Sequence, residues 1–200
     1  LHVLADAYRR LRAKPGVPET RLVAGGYMLD EHRPYFEGIE RQMREWGLGA
    51  EFYYVGAPDR SGKIAVLRKM DVFSMPATYD EPKGFPVIEA MANGVPVVQP
   101  DRGAFTEIVR RTGGGILVKP DDPEALAEGL FALLTHRALA AGLGGAGAEG
   151  VPLQGAARGQ GTVRQMQGAG EDAWIQTPEA QQELGPIGVQ AGGHPHVFPN

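Results

Sequence analysis

Short apolar runs and amphipathic stretches take strict turns along residues 1 to about 138, and few folds accommodate that rhythm. The strand-like runs are Arg21 to Gly25, Phe52 to Val55, Asp71 to Met75, Val95 to Val98 and Gly115 to Val118. Helical spacing separates them. Leu1, Leu4, Tyr8 and Leu11 precede the first run, Tyr35, Ile39, Met43 and Trp46 follow it, and Ile64, Leu67 and Met70 precede the third. Pro86 to Asn93, then Phe105, Ile108 and Val109, then Leu126, Leu130 and Leu133 supply the remaining helical faces. Boundary residues agree with the periodicity: Pro34 and Pro123 suit first helical turns, Asp59 or Ser61 and Asp122 suit caps, and Gly47, Gly94 and Gly113 suit helix ends. Five strands each separated by a helix predict parallel βαβ units with right-handed crossovers and helices on both sheet faces. The expected fold class is α/β, a doubly wound parallel sheet, whose ligands bind in loops at the carboxyl ends of the strands.

From Leu139 to Asn200 the rhythm fails. That third holds 14 of the 29 Gly and 8 of the 10 Gln, but no Lys, no Tyr and a single Phe, Phe198. A helix reaching Ala148 gives way to Gly, Ala, Gln and Pro with scattered charge, a composition too poor in apolar surface to offset its ordering entropy. Residues 152–200 are therefore expected to be a disordered tail, or one produced by a shift of reading frame in GC-rich coding DNA. Residues 1–151 are expected to form the folded domain.

Composition excludes several functions. Twenty Lys+Arg against 24 Asp+Glu give a net charge of −4, which argues against a nucleic-acid or anionic-membrane surface held by bulk charge. With no Cys, thiol nucleophiles, disulfides, Fe–S clusters and Cys-based zinc sites are ruled out for these 200 residues. His194 and His196 lie on a Pro-rich end without carboxylate partners and are too few for a metal site. No run approaches the ~18 apolar residues of a transmembrane segment, and the first residues do not read as a signal peptide, so the expected location is cytoplasmic.

The chemistry is expected in the stretch from Glu81 to Val98, after the third strand. Gly84 permits close backbone approach, and a helix beginning near Phe85 and Pro86 presents unpaired N–H groups that suit a phosphate. Lys83 adds positive charge beside that turn. Glu89, about one turn into the helix, suits the two hydroxyls of a ribose, and Glu81 lies on the other side of the phosphate position. By spacing alone the two carboxylates read equally well as a solvated loop residue and a helix residue paired with a neighbouring Arg. Tyr53 and Tyr54 are expected to pack in the core, Arg9, Arg10, Arg12 and Arg21 to form a solvated face, and Glu107 to lie at the surface. The loop from Asp101 to Ala104 is expected to approach the edge of the same pocket.

Glu81, Gly84, Glu89-Ala-Met-Ala, Gly94 and Pro96-Val-Val together resemble the E-x7-E region of the family-4 retaining glycosyltransferases, which have the GT-B fold of two Rossmann-like halves. The likeness extends from Leu1 to about Val151. It takes in Val55-Gly56, Asp71-Val-Phe, Gly103-Ala-Phe-Thr-Glu-Ile-Val, Gly114-Gly-Ile-Leu-Val and Pro120-Asp-Asp-Pro. The resemblance implies the C-terminal, donor-binding half of an enzyme using a nucleotide-diphosphate sugar and requiring no metal or other cofactor. It implies that Glu81 contacts the donor sugar near the reacting carbon and that Glu89 holds the ribose. Backbone amides around Gly84, Phe85 and Pro86 would hold the diphosphate and sugar, and Gly56 to Lys63 would border the nucleobase, with Lys63 in contact. Lys83 departs from the family, where an aromatic residue is more usual. The family's Gly-rich loop, Arg/Lys clamp, first strand and N-terminal acceptor-binding domain would all precede Leu1, so this polypeptide alone is expected to bind donor weakly and transfer negligible sugar. Two other readings stay open: a non-catalytic nucleotide-sugar binding module, and a fragment of a GT-B sugar-nucleotide epimerase.

Overall fold

A computed structural model describes residues 1–151 and the backbone of 172–176. The chain runs α1 (His2–Arg12), β1 (Arg21–Gly25), α2 (Arg33–Glu45), β2 (Phe52–Tyr54), α3 (Arg60–Leu67), β3 (Val72–Ser74), α4 (Phe85–Ala92), β4 (Val97–Pro100), α5 (Gly103–Thr112), β5 (Gly115–Val118), α6 (Pro123–Thr135), α7 (Arg137–Gly150) and β6 (Asp172–Gln176). The six strands form one sheet in the order β2-β1-β6-β3-β4-β5. β1 pairs in parallel with β2, β3 with β4, and β4 with β5.

Alternation along the strands divides the core in two. Leu22, Ala24, Val72 and Val98 face α1, α2 and α6, where Leu4, Leu11, Met43, Leu126 and Leu130 are buried. Val23, Phe73 and Val97 face α3, α4 and α5, where Leu67, Val87, Met91, Phe105 and Val109 are buried. Each fully buried aliphatic or aromatic side chain contributes about 1.5–3 kcal/mol, so the two layers together hold the sheet between helices as the sequence rhythm predicts. Tyr8 is the polar member of the first layer. Its hydroxyl lies 2.7 Å from the Thr20 carbonyl and 2.6 Å from Glu51 Oε2, while Arg12 Nε reaches the same Glu51 oxygen at 2.8 Å. Burial pushes the Tyr8 hydroxyl's pKa far above its ordinary value, so it stays a donor.

Three local expectations change. In α2 the inward residue of the first turn is Phe36, with Ile39 and Met43, whereas Tyr35 stays exposed. β2 is an edge strand, so Tyr53 and Tyr54 are exposed instead of packed in the core. Tyr54 donates to the Gly26 carbonyl at 2.7 Å, and the Arg21 guanidinium lies over the Tyr53 ring at 5.6 Å. The arginines of α1 are paired: Arg9 and Arg10 with Asp6, Arg10 also with Glu124, and Arg12 with Glu51.

The largest departure lies at the sheet centre. In a doubly wound sheet of order 3-2-1-4-5-6 the slot between the second and fourth strands belongs to the first, in parallel. Here that slot, between β1 and β3, is filled by β6, antiparallel to both. No strand was expected within 152–200. The expectation of disorder for the rest of that stretch, 152–171 and 177–200, and the reading of His194 and His196 lie outside the described residues.

Candidate functional site

The site region is built at the carboxyl ends of β2, β3 and β4. Gly56 leaves β2 with φ +69°, and its carbonyl accepts from Gly26 N–H at 2.8 Å. Asp59 then caps α3, accepting the Gly62 amide at 2.7 Å and the Ser61 hydroxyl at 2.9 Å. The Gly62 amide, first among these donors, holds the Asp59 pKa below the ordinary carboxylate value. Starting the helix there puts Lys63 in its first turn. The Lys63 ammonium forms an ion pair with Glu89 Oε2 of α4, each side chain being about one-third exposed, at 33% and 34%. That oxygen is shielded from solvent and accepts no hydrogen bond of ordinary geometry, so the contact is one of charge. Of the two sequence alternatives for Glu89, pairing with a cation is realised, but the cation is a lysine from α3 and not an arginine.

After β3 the chain turns through 76–84 into α4. Gly84 is the residue before that helix, in the left-handed region at φ +62°, ψ +29°. A Cβ there would come within 2.5 Å of Ile108 Cδ1 and 3.4 Å of the Phe105 ring, both on α5. The left-handed backbone favours glycine here, and any side chain would also have to displace the tip of Ile108. The Glu81 carboxylate folds back onto the same turn: its Oε1 accepts Lys83 N–H at 3.0 Å and Gly84 N–H at 3.1 Å, and the Tyr79 hydroxyl donates to Oε2 at 3.3 Å. The expectation that Pro86 offers an amide is corrected, because proline carries no N–H; Phe85 and Val87 are the first-turn donors without an intrahelical acceptor. Lys83 extends over the exposed Phe85 ring, its Nζ 5.8 Å from the centroid, so its charge is at the mouth of the turn.

The loop after β4 packs against the backbone of Glu81. Ala104 N–H donates to the Glu81 carbonyl at 2.8 Å. Gly103, at φ +53°, passes so close that a Cβ would lie 2.7 Å from the Glu81 carbonyl oxygen and 2.8 Å from its nitrogen. Sequence reasoning missed the side chains beside it. Arg102 reaches Asp121 of the β5–α6 loop at 2.5 Å and 3.2 Å, and the Ala77 carbonyl at 3.4 Å. The hydrogen bonds from Arg102 hold the Asp121 pKa below the ordinary carboxylate value. A cavity of about 500 Å³ opens alongside, lined by His2, Val3, Asp6, Thr78, Asp121 and Pro123. None of Gly56, Lys63, Glu81, Lys83, Gly84, Phe85, Pro86 and Glu89 belongs to that lining. Glu107, as expected, is at the surface, paired with Arg111 at 2.8 Å. Among the described residues no group of three or more His, Cys, Asp or Glu is placed to hold a metal ion, and no single helix is long and apolar enough to cross a membrane.

Comparison with known proteins adds the family. The profile described as Glycosyl transferases group 1 matches residues 1–149. A phosphatidyl-myo-inositol mannosyltransferase of Mycobacterium leprae is 40% identical over 116 residues, which is 57% of this chain and 31% of that protein. The chain thus spans about a third of that curated relative. Among solved structures, HepE of Anabaena, crystallised with UDP and glucose, aligns over 74% of this chain and 38% of its own with TM-score 0.64 and 24% identity. The C-terminal domain of a group 1 glycosyl transferase, LpcC of Francisella tularensis, aligns over 76% of this chain and 77% of its own with TM-score 0.65 and 23% identity.

Proposed function

Because the chain belongs to the group 1 glycosyl transferases, we propose that it is the donor-binding, C-terminal half of a retaining transferase that takes a sugar from a nucleotide-diphosphate sugar. The observation that carries this reading is the Lys63–Glu89 pair beside the left-handed turn at Gly84. Both side chains are about one-third exposed, and ion pairs in contact with solvent contribute only about 0–1 kcal/mol to stability, so a ribose can take over the Glu89 carboxylate at little cost to the fold. Release of Lys63 leaves an ammonium at the edge where the base and diphosphate enter.

The remaining roles follow from the chemistry of the leaving group. As the bond from the anomeric carbon to the diphosphate oxygen breaks, negative charge collects on the diphosphate. The amides of Phe85 and Val87, the positive end of α4 and the Lys83 ammonium are suited to stabilise it. Glu81, held by the amides of Lys83 and Gly84, offers a carboxylate to the sugar near the reacting carbon. Retention follows when the acceptor hydroxyl attacks from the face the diphosphate leaves, its oxygen bonding the anomeric carbon as its proton passes to the departing diphosphate. Acceptor choice belongs to a second domain, consistent with relatives about three times the length of the matched part.

Calorimetric titration with UDP-, GDP- and ADP-sugars, on the protein and on Glu89→Ala, tests the reading. One nucleotide series should bind, and Glu89→Ala should weaken it by at least about ten-fold, the scale of a charged hydrogen bond. Equal binding by the two proteins would remove Glu89 from the site. If no series binds, the donor reading fails.

A further inference from the structure

Arg102 ties together the loops that follow three strands, and nothing in the family reading requires it to do so. It stands just ahead of α5 in the loop after β4. Its guanidinium reaches the Ala77 carbonyl in the loop after β3 at 3.4 Å, and both oxygens of Asp121 in the loop after β5 at 3.2 and 2.5 Å. Asp80, one residue before Glu81, comes within 4.0 Å of its Nε. The adjoining backbone supports the same loop: Ala104 N–H donates to the Glu81 carbonyl, and Gly103 lies directly against the Glu81 backbone. Asp121 holds its side of the clamp from a left-handed backbone, φ +55°, the sole such residue other than glycine among those described. A bulky fork locked between loops, with its partner in a sparsely populated conformation, is a device for fixing geometry and not merely a surface ion pair.

The two ends of the candidate site are held differently. The nucleotide end, Lys63 and Glu89, rests on α3 and α4, and the Gly84 turn rests on Ile108 and Phe105 of α5. None of those contacts passes through Arg102. Residues 77–81, by contrast, touch Arg102 or the two residues after it at Ala77, Asp80 and Glu81. We propose that Arg102, locked by Asp121, is a positioning residue that sets the Glu81 loop for the sugar half of the donor while leaving the nucleotide half unaffected. The proposal rests on the donor-site reading above.

The split between sugar and nucleotide supplies the test. The full 200-residue chain and its Arg102→Met, Arg102→Lys and Asp121→Asn variants are titrated with a nucleoside diphosphate and with the corresponding nucleotide sugar. For Arg102→Met the nucleotide sugar should bind about ten-fold more weakly, the scale of one lost charge-assisted hydrogen bond, with the nucleoside diphosphate unchanged. Arg102→Lys keeps the charge without the fork and should fall between the two. Asp121→Asn keeps the shape and tolerates the same backbone, so it covers the case in which Arg102→Met does not fold; it should shift the same ligand in the same direction by less. Equal loss for both ligands, or no loss for either, across Arg102→Lys and Asp121→Asn overturns the proposal. Binding of neither ligand by the unmodified chain would instead overturn the donor reading and the proposal with it.

Discussion

The Lys63 ammonium of α3 is seated on the Glu89 carboxylate of α4, so the two side chains proposed for the nucleotide end are each other's counter-ions. Such an arrangement keeps a largely buried carboxylate from standing unpaired while leaving it exchangeable. Lys63→Met should therefore change the unfolding free energy by no more than about 1 kcal/mol, as ion pairs in contact with solvent do. It should also lower nucleotide affinity by about ten-fold or more, since a charged hydrogen-bond donor is lost. Urea unfolding and nucleotide titration on one sample check both. Strong destabilisation with unchanged affinity would make the pair structural.

Gly84 and Gly103 share positive φ but differ in what stands behind them. An added methyl at 84 meets the far end of Ile108, which can turn aside; at 103 it meets the Glu81 backbone, which cannot. Gly84→Ala should cost about 1 kcal/mol, mostly backbone strain, and Gly103→Ala more, about 2–3 kcal/mol. Denaturant midpoints in the opposite order would contradict this account of the turn.

Tyr8 is buried with its hydroxyl between the Thr20 carbonyl and Glu51. Tyr8→Phe keeps the ring but leaves a buried carbonyl without its donor. The expected loss is about 1–3 kcal/mol in chemical unfolding, with nucleotide binding unchanged because Tyr8 lies away from the site.

Acid should act on the caps and on the Arg102 clamp. Asp122, which accepts the amides of Ala125 and Glu124, is held below the ordinary carboxylate pKa chiefly by the Ala125 amide, as Asp59 is by Gly62 and Asp121 by Arg102. A depressed folded pKa means that the unfolded chain binds the proton first. The stabilisation from these groups is thus complete above the ordinary value of 3.8 and is lost as the pH falls through the lower folded values. Melting temperature followed from neutral to acid pH should fall only below about 4 on their account. Asp122→Asn, which retains a cap, should flatten part of that fall.

Much of the fold was legible because periodicity reports burial. The strand at Arg21–Gly25 matches its expected bounds, and Asp59 and Asp122 cap the helices they were expected to cap. β4 begins two residues later than its apolar run, since Val95 is already buried in the turn after Gly94. Tyr53 and Tyr54 misled because aromatic strand residues look alike at an edge and in a core; only strand order distinguishes them. β6 was missed because Trp174 and Ile175 are an isolated apolar pair in a Gly-, Ala- and Gln-rich stretch, and only the open slot between β1 and β3 gives the strand a place. At the candidate site, charge and spacing singled out Glu81, Lys83 and Glu89, which lie in or beside the turn into α4. They could not reveal that Lys63 meets Glu89 from another helix, nor that Arg102 and Asp121 meet across loops 19 residues apart in sequence.

Amide chemical-shift mapping during titration with a nucleoside diphosphate tests the central claim most directly. The account predicts the largest shifts at Phe85, Val87 and Gly84, with Lys63 and Glu89 responding as their pair opens. Saturating shifts confined to other parts of the sheet, or none at all with any of the UDP, GDP and ADP nucleotides, would contradict it.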